Sequence, residues 1–232
     1  MELYIPQGVQ AASREIPIEL VENGLLMKKE FISSDEEIEL LRFIDNMPWE
    51  SRLSRRTQHY GFRFDYATKR CIRAEFPVPP IFEKLIVSRL GWEFDENRLQ
   101  CTVNEYFPGQ GIAPHVDTHE AFADVIVALS LADGVALRLK SVVDEMPNIH
   151  VIWLEPRSLI SYADKVRYAY THGIISRKGD LIDGVWRPRH RRVSLTFRRT
   201  RLEDEQCQCK FPKVCDARGA PKFLPTRLKE KA

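Results

Sequence analysis

Between residues 99 and 197 the sequence is a succession of short apolar segments, several of them alternating, which are separated by turn-forming residues. Segments of this length and pattern predict β-strands, here at residues 99–106, 125–131, 135–140, 150–154, 158–162 and 193–197. Pro, Gly and Asp-Gly punctuate the gaps between them. A chain with this many short strands is expected to fold as a sandwich or a barrel.

Two helices are predicted upstream of the strands. Ser34 and Glu37 have the spacing of a capping box, and the apolar residues that follow keep helical spacing as far as Pro48. The second helix is expected over residues 80–90, where Pro80 suits the first turn and Gly91 suits the position just past the end. Helices packed against a strand-rich core give an α+β fold.

The chain is expected to have three parts: an irregular N-terminal arm (1–30), a globular domain (31–201) and a basic C-terminal extension (202–232). The longest clean apolar stretch, residues 125–131, is far shorter than the ~20 residues of a membrane helix. Residues 1–20 lack the apolar run of a secretory signal. We therefore expect a protein without membrane association, in the cytoplasm and, as a second location, in the nucleus.

Positive charge is concentrated in two regions of a chain whose formal net charge is only +2. Residues 182–232 carry 14 Lys/Arg against six Asp/Glu, and residues 51–73 carry seven against one. Two basic regions on a nearly neutral chain favour a polyanion-binding surface, with solvated faces as the alternative.

The basic region at 51–73 also contains alternating aromatic residues, which are Tyr60, Phe62, Phe64 and Tyr66. On one strand they would share a face, because side chains two residues apart point the same way. Aromatic platforms beside arginines suit stacking on unpaired bases. The alternative is a sheet face that packs on the core.

His115 and Asp117 are the first candidates for a catalytic metal site, since two residues apart in an extended segment they point to the same side. His172 is the best third ligand among the six histidines. Two histidines and one carboxylate form the facial triad that binds Fe(II) and leaves positions open for substrates. A surface pair is the alternative for the two residues taken alone.

Arg192 and Arg198 lie six residues apart in a late strand and therefore share a face. Their Cα atoms would be ~20 Å apart at ~3.3 Å per residue, so two inward arms could bracket a small dicarboxylic acid. Asn104 and Tyr106 share a face of an earlier strand. Two exposed arginines on a half-buried strand remain the alternative.

Three of the five cysteines, Cys207, Cys209 and Cys215, lie within nine residues of one another. Disulfides are not expected in a reducing compartment, and the clustering favours a metal site. Free surface thiols are the alternative.

Five motifs together resemble the AlkB family of iron(II)- and 2-oxoglutarate-dependent dioxygenases that act on nucleic acids. They are Asn104-Glu105-Tyr106, residues 108–112, His115-Val116-Asp117, Thr171-His172-Gly173-Ile174 and residues 192–198. The resemblance implies a double-stranded β-helix, or jelly-roll, core with flanking helices. It also implies His115, Asp117 and His172 as iron ligands. Asn104, Tyr106, Arg192 and Arg198 would contact 2-oxoglutarate.

Within the family the sequence is most similar to the tRNA-modifying AlkB homologues of animals, through residues 55–61, 115–122 and 207–216. That resemblance implies a structural Zn(II) held by His119, Cys207, Cys209 and Cys215, which are the ligand types of a closed tetrahedral site. We assign substrate contacts to Arg55, Arg56, Tyr60 and Phe62. The relatives also carry RNA-recognition and methyltransferase domains that these 232 residues do not contain, so a separate methyltransferase or RNA-binding protein is an expected partner.

The expected function is therefore hydroxylation of a modified wobble uridine in tRNA. Oxidative demethylation of alkylated DNA or RNA is the first alternative, and a non-catalytic RNA-binding module is the second.

Overall fold

A computed structural model describes residues 8–51, 54–65, 67–68, 70–92, 95–202 and 204–220. The strands are β1 Leu25–Lys28, β2 Arg56–Tyr60, β3 Phe62–Asp65, β4 Arg70–Arg73, β5 Leu99–Tyr106, β6 Ile112–His115, β7 Phe122–Leu131, β8 Val135–Ser141, β9 Ile149–Leu154, β10 Leu159–Tyr162, β11 Tyr170–Ile174, β12 Gly179–Ile182, β13 Val185–Pro188 and β14 Arg192–Thr200. The α-helices are α1 Ile18–Glu22, α2 Ser34–Asp45, α3 Pro80–Phe82 and α4 Asp164–Ala169.

Two antiparallel sheets form the core. The major sheet has the order β1-β10-β7-β14-β5-β2 and the minor sheet has the order β6-β11-β8-β9. Two hairpins, β3-β4 and β12-β13, lie outside them. This arrangement, with helices on the outside, is the α+β fold expected from the strand and helix pattern and the jelly-roll that the family resemblance implies.

Alternation along the central strands decides which residues reach the site. On β14 the side chains of Val193, Leu195 and Phe197 are fully buried in the cluster that includes residues of α2 and α3. The residues between them face the other way and line a cavity between the two sheets. One face of the major sheet therefore packs on helices, and the opposite face is free to carry polar groups.

The six predicted strands are all present, and both predicted helical segments are found with adjusted details. The capping box of α2 uses Ser33 and Glu36, one residue earlier than predicted. The segment 80–90 starts as α3 and continues through a π-turn at Glu83–Val87 and a 3-10 turn at Ser88–Leu90. Gly91 ends it with φ 65°, a left-handed conformation that glycine adopts without strain.

Two expectations are wrong. Residues 18–28 of the supposed irregular arm form α1 and β1, and β1 pairs with β10 as the edge strand of the major sheet. Tyr60 is not on one strand face with Phe62 and Phe64, because Gly61 (φ 71°) turns the chain between β2 and β3. Tyr66 and residues 1–7 and 221–232 lie outside the described residues.

Among the described residues no helix is long and apolar enough to cross a membrane.

Candidate active site

The three candidate iron ligands converge on the cavity between the sheets. His115 ends β6 and faces His172 on β11, the two residues being direct partners in the strand register. Their ring centroids are 4.3 Å apart, and His172 Nε2 lies 3.9 Å from Asp117 Oδ2. Gly173 permits this approach of the strands, since a Cβ there would lie 2.9 Å from backbone atoms of Pro114.

The protonation states suit a metal. His115 Nδ1 lies 2.8 Å from the Ala113 carbonyl oxygen, so it donates there and leaves Nε2 for a metal. Burial, with His115 as neighbour, lowers the pKa of His172 to about 3. Burial alone would raise the pKa of Asp117, but Arg198 and the two histidines hold it below its usual range. Neutral imidazoles and an ionised carboxylate are the forms that ligate metals.

The cavity has a volume of about 500 Å³ and contains both predicted arginines. Arg198 donates from Nη2 to Asp117 Oδ1 at 3.1 Å. Arg192, 5% exposed, donates to Ser130 Oγ at 2.8 Å and lies over the Tyr106 ring. No carboxylate among the described residues pairs with Arg192, and its Nε has no partner there. A buried, uncompensated guanidinium is a fitting receptor for a ligand carboxylate.

Asn104 also lines the cavity, and its amide orientation is fixed. Arg55 Nε donates to Asn104 Oδ1 at 2.9 Å, and a guanidinium has only donors. The amide oxygen must therefore face Arg55, which leaves the NH₂ group as a donor for a ligand. Tyr162, which the sequence did not single out, stacks on His172 with centroids 5.2 Å apart. Its position in the apolar strand 159–162 gave no signal of this contact.

The loop that carries Asp117 is held by a second unpredicted residue, Arg167 of α4. This buried side chain donates to the main-chain oxygens of Asp117, Thr118, Phe122 and Ala123 at 2.8–3.3 Å. Arg167 was not predicted because its segment contains no recognisable sequence motif. Because one cation satisfies four carbonyls, the iron loop keeps its shape without regular secondary structure.

The predicted zinc ligands are brought together beside that loop. His119, Cys207, Cys209 and Cys215 are all buried, and their ligand atoms lie within 4.8 Å of one another. Cys209 Sγ lies 3.5 Å from His119 Nδ1. Burial lowers the pKa of His119 to about 4 and raises that of Cys215 to about 12. One imidazole and three sulfurs at this separation could hold a tetrahedral zinc ion, which would bind the cysteines as thiolates.

Asp216, next to Cys215, joins the tail to the same loop. Its Oδ1 accepts hydrogen bonds from the main-chain N–H groups of His119 at 2.8 Å and Glu120 at 3.1 Å. Its Oδ2 accepts one from the Thr118 hydroxyl. The extension therefore contacts the loop that carries the candidate iron ligand Asp117.

The predicted substrate residues differ in their position relative to the cavity. Arg55 lines the cavity. Arg56 pairs with buried Glu105 and lies over Trp49, and Phe62 packs under Arg73. Tyr60 is 1% exposed and packs against Phe82, so its assignment as a base-stacking residue is wrong. Phe64, which was not assigned, lines the cavity instead.

Several known proteins are similar to this chain. The family model described as the 2OG-Fe(II) oxygenase superfamily matches residues 50–198. A protein of Arabidopsis thaliana named "Alkylated DNA repair protein ALKBH8 homolog" is 34% identical over 87% of this chain and 66% of its own length. A protein of Xenopus tropicalis named "tRNA (carboxymethyluridine(34)-5-O)-methyltransferase alkbh8" is 33% identical over 95% of this chain.

The chain spans only 38% of the length of the Xenopus relative. A solved structure described as that of OsALKBH1 is similar with a TM-score of 0.57 over 76% of this chain and 96% of the other, at 18% identity. At that identity the likeness shows a common fold.

Proposed function

The chain belongs to the 2OG-Fe(II) oxygenase superfamily and to the AlkB family within it, and from this premise we propose that it hydroxylates a modified wobble uridine in tRNA. It is an iron(II)- and 2-oxoglutarate-dependent dioxygenase. The observation that supports the oxidative chemistry in this proposal is the convergence of His115, Asp117 and His172 on a cavity that also holds Arg192 and Arg198.

We assign the iron to His115 Nε2, Asp117 and His172 Nε2. Iron bound there, together with 2-oxoglutarate, would provide the chemistry by which dioxygen oxidises a C–H bond of the substrate. Arg198 keeps the Asp117 carboxylate ionised and oriented through its hydrogen bonds at 3.1 and 3.3 Å.

Arg192 is assigned to one carboxylate of 2-oxoglutarate, with Tyr106 and the NH₂ group of Asn104 as further donors. All three line the cavity, and Tyr106 lies directly beneath the Arg192 guanidinium. Burial excludes water from this end, and charge-assisted hydrogen bonds are stronger where water is excluded.

Zinc is assigned to His119, Cys207, Cys209 and Cys215 as a structural ion. Their buried, preassembled ligand atoms support the assignment. The zinc would fix the tail whose Asp216 binds the iron loop. In the proposed division of the chain, the catalytic domain extends from α1 to residue 201, because β1 belongs to the major sheet, and residues 202–232 form the zinc-binding extension.

The tRNA substrate rests on the name of the Xenopus relative, which refers to carboxymethyluridine at position 34. A methyltransferase is proposed as a partner because the name of that relative refers to one, and an RNA-binding protein is the other proposed partner. Among the predicted substrate residues, Arg55 is the one that we retain as a contact at the cavity, with Phe64 added.

The name of the Arabidopsis relative refers to alkylated DNA repair, which supports oxidative demethylation as a second candidate. The two reactions have different products. Mass spectrometry of tRNA nucleosides after incubation with the purified protein, iron(II) and 2-oxoglutarate tests the first, which requires a hydroxylated uridine. Release of formaldehyde from methylated DNA or RNA, without that nucleoside, would instead establish the second.

A further inference from the structure

A row of polar side chains crosses one wall of the cavity beyond the candidate iron site. It consists of His59 on β2, Gln100 and Thr102 on β5, and Arg198 on β14, and all four line the cavity. His59 is the direct strand partner of Thr102, and Gln100 is the partner of Arg198. The strand register therefore places these four groups side by side on one face of the sheet.

The hydrogen bonds along this row have a fixed direction that begins at Arg198. Its Nη1 donates to Gln100 Oε1 at 3.0 Å, and a guanidinium can only donate. The Gln100 amide must therefore turn its NH₂ group the other way, where it donates to Thr102 Oγ1. The Thr102 hydroxyl keeps its own hydrogen to donate, and its other side-chain partner among the described residues is His59 Nδ1 at 3.2 Å.

The direction of the row favours His59 Nδ1 as the acceptor of the Thr102 hydroxyl hydrogen, since that hydrogen has no other side-chain partner among the described residues. With Nδ1 accepting, the proton of a neutral imidazole is on Nε2. Burial lowers the pKa of His59, which keeps the ring neutral. The ring lines the cavity, and no described residue is a hydrogen-bond partner of Nε2. The row of polar side chains therefore ends in the N–H donor at His59 Nε2.

We infer that His59 Nε2–H is a specificity-determining donor, which recognises a carbonyl oxygen on the target base and selects uracil-type bases over cytosine and adenine. This inference rests on the proposed function. Uracil presents a carbonyl oxygen at C4, whereas cytosine and adenine present amino donors at the corresponding edge. If the amino group of cytosine or adenine faced His59 Nε2–H, neither donor would have an acceptor. A site that presents this N–H group therefore rejects cytosine and adenine.

The tautomer can be measured directly. In the full chain purified without added iron, the ¹⁵N chemical shifts of the His59 ring nitrogens should show the Nε2–H form at neutral pH. Thr102→Val should let the Nδ1–H form appear, because valine has the shape of threonine and no hydroxyl. Thr196→Val is the matched control, since Thr196 lies directly opposite Thr102 on β14 and makes no side-chain hydrogen bond with the described residues. A wild-type His59 protonated on Nδ1, or an unchanged tautomer in Thr102→Val, would overturn the inference.

The base preference is tested with two short anticodon stem–loop RNAs that differ only by uridine or cytidine at the target position. We expect the wild-type protein to bind the uridine RNA about 10-fold more tightly, because a wrong base costs ~1–3 kcal/mol. His59→Leu should abolish the difference, and His59→Gln, whose NH₂ group reaches the place of Nε2, should restore part of it. Thr196→Val should keep the wild-type ratio.

Equal affinity of the wild-type protein for the two RNAs would refute the inference. Formation of succinate from 2-oxoglutarate, measured in parallel, would in that case leave the dioxygenase function standing. Absence of succinate together with a clear preference for uridine would have the opposite meaning, because the proposed function would fail and the recognition by His59 would hold.

Discussion

The Arg167 guanidinium donates a hydrogen bond from Nη1 to the main-chain oxygen of Asp117 at 2.8 Å. The same side chain, only 3% exposed, donates to the main-chain oxygens of Thr118 in the same loop and of Phe122 and Ala123 at the start of β7. Its pKa is lowered by burial, and Asp117 opposes that effect. Arg167 has no ion pair with any described residue, and this buried cation thus holds the loop that contains both a candidate iron ligand and a candidate zinc ligand.

Replacing Arg167 should weaken iron binding at a distance from the metal. Arg167→Met removes two hydrogen bonds to the loop and two to the start of β7, and it leaves carbonyls unpaired, each at a cost of ~1–3 kcal/mol. We expect at least a 10-fold loss in Fe(II) affinity, measured by titration of the apoprotein. Arg167→Lys keeps the charge and some of the donors, so its Fe(II) affinity should lie between those of the wild type and Arg167→Met. Wild-type iron affinity in Arg167→Met would refute a positioning role.

Asp117→Ala should abolish succinate formation and leave the fold intact. Asp117 lines an open cavity, and its removal also relieves the burial of a carboxylate. Circular dichroism should match the wild type, while Fe(II) binding is lost. Normal turnover in this variant would show that the triad assignment is wrong.

The two arginines of β14 should differ in their effects. Arg192→Ala should raise the KM for 2-oxoglutarate at least 10-fold, because it removes a buried charge-assisted contact worth ~1.5–3 kcal/mol. Arg198→Ala should also lower iron affinity, because Arg198 binds Asp117. Arg187, exposed on β13, provides a control through Arg187→Ala. An unchanged KM in both β14 variants would exclude them as 2-oxoglutarate contacts.

Cys209→Ser should release the zinc. The protein purified without added metal is expected to contain about one zinc per chain, since one closed site takes four ligands. Loss of the ion should loosen the tail and, through Asp216, the iron loop. Elemental analysis measures the zinc content, and amide hydrogen exchange at residues 115–120 measures the loosening of the iron loop. Cys71→Ser is the control, because Cys71 lies on β4 outside the cluster. Full zinc content in Cys209→Ser would place the ion elsewhere.

Tyr60→Ala should lower the free energy of unfolding. The ring is packed edge-on against Phe82, and its hydroxyl donates to Gln58 Oε1 at 2.9 Å. Removing a buried aromatic side chain of this size costs ~3–5 kcal/mol of unfolding free energy. Chemical denaturation should show this loss. Phe64→Ala, at the cavity, should instead weaken RNA binding, and the reverse pattern would restore Tyr60 as a substrate contact.

The periodicity of the sequence was sufficient for the central strands and the helical segments. Period-two alternation in residues 193–197 and helical spacing after Ser33 depend on each segment's own burial pattern, which is visible in the order of its residues. The pair His115 and Asp117 was predictable for the same reason, since they are two residues apart. The resemblance to a known family, and not periodicity, supplied the jelly-roll and the zinc ligands.

Other features depended on contacts between distant segments. The register of β6 with β11 sets His115 opposite His172, and the left-handed Gly61 buries Tyr60 and sends Phe64 to the cavity. Arg167 has no motif, because its four partners are main-chain oxygens that any residue could provide. The sequence by itself determined which groups were available and which face of each strand carried them. Only the tertiary structure decided their partners, because hydrogen-bond direction and burial arise from segments packed together across dozens of residues.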